Sequence, residues 1–173
     1  NDGRWQHYHD IRPIWEDPAP PDDTTTLLMV HARSAFRDEG IAVENNMPFA
    51  DDQRVFVFNG ELQGVRIKEE GRIGAEKIFN YIKRFDTGDL DVAVERGTRV
   101  IRKRSRYVRA MNIIIATRDA VHVASSFGED PDYFQLRTVV HDDGTLIVCS
   151  EPYGAYPWQT FPNHSTRTFA ASQ

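Results

Sequence analysis

The chain has 173 residues and a mass of 19.9 kDa, the size of one domain (1–173), and its 40% hydrophobic and 11% aromatic content excludes a disordered tail. Its 26 acidic and 21 basic residues leave a net charge of −5, so bulk electrostatics gives no reason to expect nucleic acid or an anionic membrane as partner. No apolar run approaches the roughly 20 residues that cross a bilayer, and the single cysteine, Cys149, cannot close an internal disulfide, which fits a cytoplasmic setting.

In chain order, residues 1–25 are polar and Pro-rich, with one short edge strand expected near Trp5 to Tyr8. TLLMVHA at 26–32 reads as a buried strand, an apolar run with no breaker. RDEGIAVENNMPFADD is rich in turn formers and reads as a long loop. RVFVF at 54–58 is β-branched and aromatic, a second strand. Ile78, Phe79, Ile82 and Phe85 form a helical stripe over 75–85, and Leu90, Val94, Val100 and Ile101 form another over 90 to about 104, with Asp89 as its N-cap. VRAMNIIIAT, AVHVASSF, YFQLRTVV and GTLIVCS then read as a β-meander, broken at Arg118-Asp119 and Asp142-Asp143-Gly144. Strands, two helices and more strands suggest an α+β fold with mostly antiparallel sheets.

Several residues carry candidate chemistry. Asn59-Gly60 ends the strand at 54–58. The pair favours a type I′ hairpin turn, and equally supplies two donors that can converge on one developing negative charge. The residues after Gly60 are polar and lead to a helix rather than a return strand, which weakens the hairpin reading. Arg33, just after a core strand, suits bidentate binding of a carboxylate or a structural salt bridge. Seven basic residues between Arg96 and Arg109 form either a nucleic-acid face or the solvated side of a helix; the acidic balance favours the helix. His7 and His9 could share a metal, but no Cys or carboxylate cluster accompanies them, so no metal is expected. No Gly-rich phosphate loop, CxxC pair or HExxH occurs, and no cofactor is expected.

The ordered set HARSAF, Gly40, ENNMPF and FNGEL, followed by CSEPYG, Trp158 and Pro162, resembles the class II glutamine amidotransferases. These are N-terminal-nucleophile hydrolases, and their small single-domain members include γ-glutamyl amide hydrolases. The resemblance spans roughly residues 5 to 170. It implies an αββα four-layer sandwich and a glutamine or γ-glutamyl substrate. Asn59 and Gly60 would form the oxyanion hole, Arg33 would hold the substrate α-carboxylate, and His31 and Ser34 would shape the pocket. Phe58 stands where the family has His before Asn-Gly.

Two departures accompany it. The family nucleophile is an N-terminal Cys whose α-amine activates the thiol, whereas this sequence opens with Asn1, and Cys149 sits in an apolar strand as a core residue. The first family strands, with the nucleophile, are therefore expected to lie outside these residues. A partner chain or self-association is expected to cover the sheet edges thus exposed. The family also places an Asp before the first helix to bind the substrate amino group. Here Gly74 takes that place, which implies a different substrate, Glu76 or Glu70 as a substitute, or lost activity. A degenerate binding or assembly module of the same fold is the alternative to an amidohydrolase.

Overall fold

A computed structural model describes residues 5–17, 24–33 and 41–170. Among the described residues, eight strands and three α-helices follow the order β1 (Phe49–Ala50), β2 (Val55–Gln63), α1 (Gly74–Lys83), α2 (Leu90–Arg104), β3 (Tyr107–Ala116), β4 (Ala120–Ser125), α3 (Pro131–Phe134), β5 (Arg137–Val140), β6 (Leu146–Cys149), β7 (Gln159–Thr160) and β8 (Ser165–Ala170). They build two antiparallel sheets, one of five strands in the order β1-β2-β3-β4-β8 and one of three in the order β6-β5-β7.

The centre of the large sheet forms where the sequence is most β-branched and aromatic, VFVF in β2 against NIIIA in β3. Its even-numbered β2 residues face the helices: Phe56 stacks on Phe79 of α1 at 4.8 Å between ring centroids. Ile78, Phe79 and Ile82 of α1, Val94 and Ile101 of α2, and Met111, Ile113 and Ile115 of β3 complete that core. Against the opposite face of the large sheet pack Val148 of β6, Leu136 and Phe161, meeting Ile114, Val121 and Val123. The described residues thus form three layers, a helix pair and two sheets. A second helical layer, as in the four-layer sandwich expected from the sequence, is not among them; α3 has only four residues.

Both long helices occur where their stripes place them. The Asp89 side chain accepts from the Val92 N–H at 3.0 Å, the N-cap bond expected of it. Asp89→Ala should cost about 1 kcal/mol, which in a chain of this size lowers Tm by roughly 2–4 °C in a thermal melt. At the other end Arg102, Lys103 and Arg104 occupy the last turn, where cations complement the helix dipole, and this accounts for much of the basic run. Inside, His122 of β4 ties the sheet to α2: its Nδ1 lies 2.6 Å from the Asp91 carboxylate, which Thr168 of β8 also contacts. Because a carboxylate only accepts, Nδ1 carries the proton there.

Four expectations are corrected. Residues 5–8 form no strand; this stretch is irregular, held by His9 Nε2 at 3.1 Å from the Pro48 carbonyl and by Asn46 Nδ2 donating to the Asp10 carbonyl at 2.7 Å. TLLMVHA is not a buried strand. Leu27, Met29 and His31 turn inward, but Leu28 and Val30 are 78% and 67% exposed, because no described strand lies beside them to cover that side. YFQLRTVV is not one strand: Pro131 opens α3, and the chain turns before β5. The meander is also divided, since the chain leaves the large sheet after β4, builds the small one, and returns as β8.

Candidate active site

The Asn-Gly pair is not a turn. Asn59 and Gly60 lie inside β2, opposite Asn112 and Met111 of β3. Gly60 is required by a close approach: a Cβ there would stand 2.1 Å from the Ala110 carbonyl oxygen and 2.6 Å from its carbon. Just beyond, the register slips, Glu61 facing Ala110 and Leu62 facing Val108, so that Arg109 bulges out of β3. Its guanidinium bridges Glu61, at 3.3 Å, and Asp130, at 2.5 Å.

The backbone around the pair opens away from β3. Phe58 sends its N–H to Met47 Sδ at 3.2 Å, while its carbonyl lies 3.2 Å from His31 Nε2. By the alternation of strand backbone, the Gly60 N–H points to the same open edge. The Asn59 side chain lies on the sheet face away from the helices, beside Asn112, and its amide has no hydrogen-bond partner among the described residues. Asn112, by contrast, is fully occupied, donating to the Phe134 carbonyl and accepting from Ser125 Oγ, both at 2.7 Å. The two amides side by side thus differ: one is structural, the other uncommitted.

His31 positions this edge. Its Nε2 donates to Phe58, so Nδ1 is the unprotonated nitrogen, and it is buried without a partner. Burial, reinforced by the Arg33 charge, pushes the imidazole pKa below its ordinary value against the pull of the Phe58 carbonyl. By linkage, the unfolded chain takes up this proton first as pH falls through about 6.5, so the contribution to stability is complete above that pH and lost below it. Urea titrations should therefore show stability falling between pH 7 and 5 more steeply in the wild type than in His31→Gln.

The other expected site residues are distributed differently. Arg33 follows His31 on the same extended segment and is half-buried; Ser34 lies outside the described residues. Glu76 is drawn elsewhere. Its carboxylate accepts from the Arg72 N–H and guanidinium at 2.5–3.1 Å, which holds its pKa below the usual range. It lines a cavity of about 530 Å3, of mixed polar and apolar lining, with His7, His9, Phe49, Arg72, Phe79 and Lys83, which none of Asn59, Gly60, His31 and Arg33 borders. Gly74 opens α1 with nothing within 4 Å of where its Cβ would be. Among the described residues no group of three His, Cys, Asp or Glu is placed to hold a metal. Cys149 is partly buried in β6, and burial raises its thiol pKa, which makes it a poor nucleophile.

Sequence reasoning missed Met47, Asn112 and the open edge of β2. A lone Asn inside MNIII was a visible signal, but its meaning depends on register. No described helix is long and apolar enough to cross a membrane.

No protein-family model and no curated protein matches the chain. Among solved structures it is similar to a glutamine aminotransferase class-II domain protein from Silicibacter pomeroyi, with 16% identity and a TM-score of 0.62 over 93% of this chain and 79% of that one. A predicted glutamine amidotransferase from Pseudomonas aeruginosa PA01 gives 14% identity and a TM-score of 0.54, over 76% of this chain and 64% of that one. Glutamine phosphoribosylpyrophosphate amidotransferase from B. subtilis gives 15% and 0.51, over 82% of this chain and 34% of that one. The chain thus spans less than two thirds of two of these proteins. In three dimensions this chain has the fold of the class II glutamine amidotransferases.

Proposed function

We propose that the chain is an amidohydrolase scaffold of glutaminase or γ-glutamyl amide hydrolase type, whose cysteine nucleophile is supplied from outside these 173 residues. The observation that carries this reading is the uncommitted Asn59 amide beside Gly60, whose N–H faces an open strand edge. In the reaction a thiolate attacks the side-chain amide carbon, and the carbonyl electrons move onto oxygen. Asn59 and the Gly60 N–H donate to that oxyanion. Collapse expels ammonia, which takes a proton, and leaves a thioester; water then cleaves the thioester, releasing the carboxylate and restoring the thiol. Arg33 binds the substrate α-carboxylate, and His31, with Ser34, shapes the pocket while fixing the Phe58 backbone.

A second reading is a non-catalytic module of the same fold. It is favoured by Gly74 and by the engagement of Glu76 with Arg72, which leaves the substrate amino group without its expected carboxylate. The exposed apolar side of Leu28 and Val30 fits cover by a further strand, from a partner chain, a second copy or a longer form of this chain. Ammonia release from glutamine and from γ-glutamyl amides by the longest native form distinguishes the two readings. Hydrolysis above the uncatalysed rate supports the enzyme, and none with any γ-glutamyl amide supports the binding module.

A further inference from the structure

Asn59 is one end of a polar row that crosses the large sheet on the face away from the helices. Its register partner in β3 is Asn112, and one strand further Ser125 of β4 donates to Asn112 Oδ1 at 2.7 Å. Strands β2 and β4 flank β3 on opposite sides. Asn112 and Ser125 are only 3% and 2% exposed, and side chains this deep are ordinarily apolar. Two residues along, the same face of β3 and β4 carries the apolar pair Ile114 and Val123. Packing between the sheets alone therefore does not call for amides and hydroxyls here.

The partners of Asn112 fix which way its amide points. The Phe134 carbonyl can only accept, so the atom 2.7 Å from it is Nδ2. The Ser125 hydroxyl draws Oδ1 toward β4. Oxygen and nitrogen diverge from the same carbon, so Nδ2 is turned away from β4, toward the β2 side. Both heavy atoms of this amide are engaged, yet its nitrogen carries two protons and the Phe134 carbonyl takes one. The second is left on the side where Asn59 stands. Phe58 turns its N–H and carbonyl away from β3, so by alternation Asn59 makes the paired backbone bonds to β3. Directly opposed side chains have Cβ atoms about 4.5–5.5 Å apart, within reach of an amide–amide hydrogen bond. An Asn59 oxygen that accepts this proton leaves its own Nδ2 on the far side, toward the edge to which the Gly60 N–H points.

We propose that Asn112, held by Ser125 and Phe134, is a positioning residue for Asn59. In the substrate complex its second N–H donates to Asn59 Oδ1, which presents Asn59 Nδ2, and not its oxygen, to the developing oxyanion. The inference rests on the amidohydrolase reading above. Such hydrogen bonds are often open in a free enzyme and tighten in the complex. Steady-state amide hydrolysis by the longest native form tests it, with Asn112→Ala and Ser125→Ala each made alone and combined with Asn59→Ala. Alone, they should lower kcat about 10-fold and about threefold with KM little changed, because lost orientation is felt in the transition state. In the Asn59→Ala background both losses should shrink to within about twofold, since nothing remains to be positioned. Ser125→Ala removes one hydroxyl and keeps the shape of the side chain, so it carries the test if Asn112→Ala fails to fold. Equal losses of kcat in the two backgrounds, or losses confined to KM or to melting temperature, would overturn the proposal and leave the oxyanion role of Asn59 intact. Asn59→Ala hydrolysing as fast as the wild type would instead overturn the amidohydrolase reading and this proposal together.

Discussion

Asn59→Ala is expected to lower kcat for amide hydrolysis by about 10²–10³, close to 2.7–4 kcal/mol of transition-state stabilisation, while KM changes little. The donor acts on charge that exists only as the carbonyl becomes tetrahedral, so the ground-state complex does not feel its loss. Stability should hardly move, because the amide has no partner among the described residues to abandon. Asn59→Asp should be as inactive, since it keeps the shape but sets a negative charge against the oxyanion. Steady-state kinetics and a thermal melt on the same preparations check this. A variant that melts like the wild type and hydrolyses as fast removes Asn59 from the chemistry.

Gly60→Ala should fail for a different reason. Its Cβ would lie 2.1 Å from the Ala110 oxygen, and that obstacle is backbone at the centre of the sheet, which cannot rotate aside. Overpacking in a core typically costs 1–3 kcal/mol, and this contact belongs at the top of that range, about 3 kcal/mol. At roughly 2–4 °C per kcal/mol, Tm should fall by about 6–12 °C. Asn59 is thus expected to be dispensable for folding, and Gly60 is not. The glycine is explained by packing alone, and the functional reading rests on the asparagine and on the orientation of the strand edge.

The difference between these neighbours also marks where sequence was informative. Both long helices could be read because ten to fifteen residues of 3.6-period stripe, and a capping Asp89, state their own boundaries. Strand type was legible in VFVF and NIII, but strand partners were not, because alternation fixes the faces of a strand without naming its neighbours. TLLMVHA is the clearest case. Its apolar run predicts burial on both sides, whereas one side meets the core and the other meets solvent. β8 escaped notice because STRTFA, a sheet edge, alternates too weakly to signal a strand.

For the site, Asn59 and Gly60 could be placed at the end of the strand 54–58 but not inside it, since Asn-Gly means a turn in one context and a strand interior in another. Only the β2–β3 register separates the two. Glu76 is the reverse case. Its spacing from the motif suggested a substitute carboxylate, but a neighbouring arginine, Arg72, captures it at the start of α1. Local ion pairing of this kind cannot be read from the position of a residue within a family pattern.

Covalent trapping probes the amidohydrolase reading at its root. The longest native form should be incubated with a diazoketone analogue of glutamine, which alkylates an activated thiolate seated in a glutamine site, and then mapped by peptide mass spectrometry. One adduct is expected, on a cysteine at the mature N-terminus and not on Cys149, with glutamine protecting and Asn59→Ala slowing the reaction. A native protein with no such cysteine, or label found on Cys149 alone, would overturn the amidohydrolase reading.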